Sequence, residues 1–133
     1  MSLAIGVDIG GTKVAAGVVD EEGGVLALVR RPTPGDVAGT EDAIAGCVAE
    51  LAERYDVVAV GIGAAGWIAN DRATVLFSPH LAWRDEPLKE ALAGRIGLPV
   101  TVENDANAAA WAEYRFGAAR GERVVCIVTL GTG

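Results

Sequence analysis

Two stretches of this sequence carry residue types that could do chemistry. The first is Val7-Asp8-Ile9-Gly10-Gly11-Thr12-Lys13, an acid, two glycines, a hydroxyl and an amine between two apolar runs, Leu3 to Val7 and Val14 to Val19. Adjacent glycines let a turn take positive φ and bring its amides close to a ligand. Amides that converge in a turn form an anion-binding concavity, which suits a phosphate. Asp8 ends the leading run, where it could hold the magnesium ion that phosphates bring, directly or through water. A plain hairpin turn would also explain Gly10-Gly11. The flanking Asp8, Thr12 and Lys13 shift the balance toward phosphate.

The second stretch is Glu103-Asn104-Asp105-Ala106-Asn107, between a short apolar run and an alanine-rich one. That arrangement predicts a strand-to-helix junction. A helix N-terminus favours a carboxylate both as a cap and through the dipole. Asp105 could there accept a proton from a hydroxyl, and the Asn104 amide could hold neighbouring hydroxyls. Plain N-capping is the competing explanation, and it needs only one of the two residues.

Two nucleotide-binding patterns fit only by letter. Gly6 to Gly11 has the four-residue gap of a P-loop, but Thr12-Lys13 reverses the Lys-Ser/Thr order, and a strand-like run follows where a helix should. Gly61-Ile62-Gly63-Ala64-Ala65-Gly66 matches the dinucleotide fingerprint. It leads to Trp67-Ile68-Ala69, a turn at Asn70-Asp71 and Ala73 to Phe77, which reads as strand, turn and strand. The fingerprint must open a helix, so that reading is rejected. The glycines instead let backbone approach a ligand or another strand.

The elements that must position these stretches follow from pattern. Gly23-Gly24 makes a second tight turn and Val25 to Arg31 a third strand, so the first three strands are antiparallel neighbours. After the Pro32-Thr33-Pro34-Gly35 loop, Thr40 is expected to cap a helix with Glu41 and Asp42 in its first turn. Its apolar stripe is Ile44, Cys47, Val48, Leu51 and Tyr55. Val57 to Ile62 reads as a buried parallel strand. Ser78-Pro79-His80 opens a loop, and Asp85 and Pro87 start a second helix that Gly97 and Pro99 end. Pro99 to Val102 is a strand, and the alanine-rich helix after it runs to about Phe116 with Gly117 as its C-cap. Gly117 to Arg123 is the best boundary in the chain. Val124 to Leu130 is expected to be a last buried strand, delivering a Gly131-Thr132-Gly133 turn.

Composition bounds the rest. At 133 residues, 51% hydrophobic and 22% charged, the chain is about one globular domain that needs no disulfide or metal to hold a core. A net charge of −7 argues against nucleic acid or an anionic membrane as partner. An acidic protein that binds phosphate needs oriented amides or a bridging cation, which fits a magnesium–nucleotide ligand. Cys47 and Cys126 have no metal or redox spacing, and both are expected in the core. No signal peptide or bilayer-spanning run is read, so the expected location is cytoplasmic.

Asp8-Ile9-Gly10-Gly11-Thr12-Lys13, Glu103-Asn104-Asp105-Ala106-Asn107 and Thr129-Leu130-Gly131-Thr132-Gly133, in this order, resemble the ROK family of sugar kinases, and within it the actinobacterial glucokinases. The resemblance runs the length of the chain. It implies an α/β, actin-like (ribonuclease H-like) lobe: a mixed sheet with antiparallel strands first, parallel strands after, and flanking helices. Residues 1–121 would be the N-terminal lobe. Residues 122–133 would be the first strand and the start of the second phosphate loop of a C-terminal lobe. By that similarity, Asp8, Gly10, Gly11, Thr12 and Lys13 form the first phosphate loop with its Mg2+, and Gly131, Thr132 and Gly133 begin the second. Asp105 is implied as the base on the 6-hydroxyl of a hexose, glucose foremost, with ATP as donor. Asn104 is implied as a sugar ligand and Gly66 as backbone offered to the sugar. His80 stands where many relatives carry Asn and is a further candidate sugar contact, an exposed loop histidine being the alternative. The structural zinc and further sugar ligands of such kinases would lie past residue 133. The 133 residues alone should therefore lack half of the site, and the complete protein is expected to be a homo-oligomer. A sugar-responsive transcriptional regulator of the same family, or an actin-like nucleotide-binding scaffold, would share the first loop.

Overall fold

The computed structural model describes residues 1–130, so Gly131, Thr132 and Gly133 lie outside the described residues. Three antiparallel strands open the chain: β1 (Leu3–Ile9), β2 (Lys13–Val19) and β3 (Val25–Pro32). Helix α1 (Val37–Ala52) then crosses over to β4 (Val57–Ala64), which lies parallel to β1. A separate antiparallel sheet follows, made of β5 (Trp67–Ile68), β6 (Val75–Phe77) and β7 (Arg84–Glu86). Helix α2 (Leu88–Ile96) returns the chain to β8 (Val100–Asn104), parallel to β4, and α3 (Asp105–Phe116) leaves from its end. The main sheet is ordered β3-β2-β1-β4-β8, with antiparallel strands on one side and parallel strands on the other, as expected from the patterning.

Alternation divides this sheet into two unlike faces. Ile5, Val7 and Ile9 pair in register with Val60, Ile62 and Ala64, and these with Val100, Val102 and Asn104. All but Asn104 are buried, packed with Ile44, Cys47, Val48 and Leu51 of α1 and Leu88 and Leu92 of α2. The intervening residues are small or polar. Gly6 faces Gly17 and Gly61, while Asp8 faces Ala15 and Gly63, and Gly63 in turn faces Glu103. A side chain built on Gly6 or Gly61 would meet nothing within 4 Å. One face is thus a packed core and the other a furrow.

Five local expectations change. Asp36, not Thr40, caps α1, its carboxylate accepting from the Gly39 amide at 3.1 Å. Thr40 is buried one turn in, where its hydroxyl donates to the Asp36 carbonyl at 2.9 Å, so Glu41 and Asp42 fall past the first turn. Asp85 belongs to β7 with φ +50, and α2 starts after Pro87 with no side-chain cap; Gly97 ends it in the left-handed region as expected. Residues 124–130 form no strand. Val124, Val128 and Leu130 are exposed, because no described strand lies beside this run to pair its backbone groups. Cys126 is exposed with them, whereas Cys47 is buried as expected. Finally, neither Gly10 nor Gly11 takes positive φ. At Gly11 the need is spatial, since His80 packs against it.

Candidate active site

The ends of β1 and β8 bring the two chemical stretches to one edge of the sheet. In parallel α/β sheets, ligands bind beyond the carboxyl ends of the strands, and all three parallel strands end here. Asp8 lies one residue before the end of β1, in register with Gly63 of β4. A Cβ on Gly63 would lie 3.5 Å from the Asp105 Cα and 3.7 Å from the Val7 carbonyl oxygen. The start of α3 thus lies against the end of β4, next to β1. Asp8 and Asp105 line one open cleft of about 920 Å³, floored by Gly6, Gly17 and Gly61. The cleft desolvates Asp8 and the Asp105 carboxylate repels it, so the Asp8 carboxyl is held above its usual value of 3.8. A carboxylate in that position gains from a cation.

The turn between β1 and β2 is built to leave its amides free. Gly10 N–H donates to the Lys13 carbonyl at 3.0 Å, and the Gly10 carbonyl accepts from the Thr33 hydroxyl at 2.8 Å. The Thr33 amide donates to the Thr12 carbonyl at 3.0 Å, fastening the turn to the end of β3. The Gly11 and Thr12 amides have no protein acceptor among the described residues. Gly11 is closely covered: a Cβ there would stand 3.0 Å from His80 Cβ. His80 therefore sits against the phosphate-type turn. It is exposed.

The helix start shows which residue is the cap. Asn104 is the N-cap of α3, its side-chain oxygen accepting from the Asn107 amide at 3.0 Å. Its Nδ2 donates to the Gly66 carbonyl at 2.9 Å. Capping is thus done by Asn104, and Asp105 is not needed for it. Asp105 Oδ1 accepts from the Ala106 amide at 2.9 Å, which fixes the carboxylate and leaves its other oxygen available. Gly66 has no room for a side chain, since a Cβ would collide with the Phe77 carbonyl. Gly66, Trp67, Ile68, Glu103, Asn104 and Asn107 line a smaller hollow of about 350 Å³.

Asp8, Gly10, Gly11, Thr12, Lys13 and His80 thus gather around one turn, and Gly66, Asn104 and Asp105 around one helix start. Sequence reasoning missed Thr33, which serves the turn from 23 residues away. It also missed Glu103 as a working residue, although Glu103 stood in the quoted motif. Among the described residues no cluster of three metal-ligating side chains occurs, and no helix is long and apolar enough to cross a membrane.

Comparison with known proteins identifies the family. The chain is 58% identical over 133 residues to the glucokinase of Streptomyces coelicolor, covering 100% of this chain and 42% of that protein. It is 42% identical to the glucokinase of Thermotoga maritima, covering 97% of this chain and 42% of the relative. The crystal structure of a ROK family glucokinase from Streptomyces griseus, in complex with glucose and AMPPNP, superposes with a TM-score of 0.88 at 62% identity, over 90% of this chain and 38% of that one. The chain therefore spans about two fifths of the length of these relatives. Its fold is that of the actin-like ATPases. The profile of the ROK family matches residues 4–133, and the chain belongs to that family.

Proposed function

We propose that this chain carries the nucleotide- and sugar-facing half of an ATP-dependent hexose kinase that phosphorylates glucose, or a close hexose, at the 6-hydroxyl. The observation that supports this most is the shared cleft. A free carboxylate at the start of α3 faces the same space as the Asp8 carboxylate and the glycine-lined furrow. Phosphoryl transfer passes through a loose transition state, so a kinase mainly positions its reactants and neutralises charge.

The roles assigned here are those the family resemblance implies, and the geometry supports them. The free Gly11 and Thr12 amides and the Lys13 amine bind phosphate oxygens. Asp8, crowded by a second carboxylate, fits a divalent cation; Mg2+ takes one or two carboxylates plus phosphates and supplies charge neutralisation when bound. Asp105 accepts the proton of the acceptor hydroxyl on the oxygen that Ala106 leaves free. Asn104 holds Gly66 against the helix start and offers its remaining hydrogen-bond capacity to the sugar, while His80 lies on the phosphate side of the same edge. Gly131, Thr132 and Gly133 would extend the phosphate site from beyond the described residues. Glucokinase activity in the 58% identical relative supports glucose as the substrate.

Asp105→Asn in the complete protein tests this. A positioned general base contributes about 10²- to 10⁴-fold to rate. Turnover is expected to fall by that order, with glucose affinity and melting temperature little changed. Hexose-dependent ADP release at the wild-type rate would remove Asp105 from the chemistry.

A further inference from the structure

Glu103 does more at the helix start than its place in a motif requires. β8 is an edge strand, so the Asn104 amide on its outer side has no strand to bond. Glu103 Oε1 accepts from that amide at 2.7 Å and from Asn107 Nδ2 at 3.3 Å. Asn107 is the third residue of the helix counted from the cap, and its own amide returns to Asn104 Oδ1. In an ordinary capping box the third residue's carboxylate reaches back to the cap amide. Here that carboxylate comes from the residue before the cap and is held by the third residue's amide group. The ring closes around Asn104 and fixes the peptide that leads into Asp105. Glu103 also lines both the larger cleft and the smaller hollow.

A second element reports to the same side chain. Arg72 occupies the turn between β5 and β6 with φ +54, a strained conformation for a residue with a side chain. Its carbonyl accepts from the Val102 amide at 2.9 Å, tying the turn to the free edge of β8. Its Nε lies 3.8 Å from Glu103 Oε2. That pair is long, and the Arg72 side chain is 67% exposed, so it contributes little. The weight falls on the two bonds to Oε1.

We propose that Glu103 is a positioning residue of the phosphoryl-transfer site, acting through Asn104 and Asn107 to hold the Asp105 carboxylate toward the acceptor hydroxyl. This rests on the kinase reading above. The experiment is steady-state kinetics of the complete protein carrying Glu103→Ala, Glu103→Gln or Arg72→Ala, with glucose and ATP varied in turn. A misplacement of about 1 Å costs up to about 10²-fold. Glu103→Ala is therefore expected to lose about 10- to 100-fold in kcat/KM for glucose while the KM for ATP stays unchanged. Glu103→Gln keeps an acceptor oxygen and restores most of the loss, and Arg72→Ala stays within about 2-fold of wild type. The proposal is overturned if Glu103→Ala keeps its glucose kcat/KM, if both KM values rise together, or if Gln or Arg72→Ala behaves like Glu103→Ala. A wild-type protein without glucose-dependent ADP release would fail the kinase reading instead. Hydrogen exchange then judges Glu103: the Asn104 amide must exchange faster in Glu103→Ala than in Glu103→Gln, and equal rates would sink the positioning role.

Discussion

Asp8 is a residue whose surroundings set its chemistry against its stability. The cleft desolvates it and Asp105 repels it, so its carboxyl lies above its usual 3.8 in the folded chain. An acid whose folded pKa is raised keeps its full contribution to stability below the unfolded value and loses it as pH rises through the folded one. At neutral pH, Asp8 therefore opposes folding, and a bound cation would relieve it. Asp8→Asn is expected to raise the melting temperature at pH 7 by on the order of 1–3 °C, with no gain near pH 3.5, and to weaken magnesium-dependent nucleotide binding. Thermal melts at both pH values and a nucleotide titration measure the two effects. A lower melting temperature at pH 7 would show that Asp8 stabilises the turn instead. The places of Asp8, Asn104 and Asp105 were legible because each sits next to a strand or helix end, where residue type has local meaning. Thr33 was not legible: its hydroxyl meets the Gly10 carbonyl only after β3 has paired with β2. Glu103 lay in view, but a carboxylate that bonds its own neighbour's amide leaves no spacing signal.

At the scale of elements, strands and helices followed from their patterns, while the exact helix starts depended on tertiary contacts. Asp36 and Thr40 are both good cap residues, and sequence alone gives no reason to prefer one. The fold decides by burying Thr40, whose hydroxyl then turns to the Asp36 and Pro34 carbonyls. Val124 to Leu130 has strand-forming residues, yet a strand exists only with a neighbour. The shift of the α1 start has its own consequence. Glu41, expected in the first turn, lies past it and faces Glu86 at the end of β7. Desolvation, then the neighbouring Glu86 carboxyl, and more weakly Asp42, push Glu41 up to about 7, against the pull of Arg95. Arg95 is itself paired with Asp42. The contact of α1 with β7 is therefore strongest when Glu41 is protonated. Its contribution should be complete below the usual 4.5 and disappear as pH rises through about 7. Glu41→Gln is expected to flatten the fall in melting temperature between pH 5 and pH 8. A wild-type slope retained in that variant would place the titrating group elsewhere.

At the scale of the whole molecule, the sheet is finished on one side only. α1 and α2 cover the face that carries Ile5, Val7, Ile9, Val60 and Ile62. The glycine-floored face has α3 beside it, and α3 contains no buried residue. Trp111 is 59% exposed, and Val25 and Leu28 at the furrow's rim are exposed as well. A helix of 12 residues is marginal in water by itself, and most helical stability comes from packing an apolar face. α3 has little packing of that kind, so its hold on the sheet rests on the Asn104 cap, on Glu103 and on the Phe116 ring stacked against Gly23. The 133 residues studied by themselves should therefore open α3 far more often than β1 or β4. The amides of Ala109 to Phe116 are expected to exchange at least about 10²-fold faster than those of Ile5 to Ile9, and a dye that reads exposed apolar surface should bind. A chain extended to the length of the glucokinase relatives should slow that exchange if its added part packs against this face. The helix that presents Asp105 is thus weakly anchored by packing. If α3 in the 133-residue chain were protected as strongly as β1, the cap and one aromatic contact would suffice to hold it, and the furrow would be a finished surface.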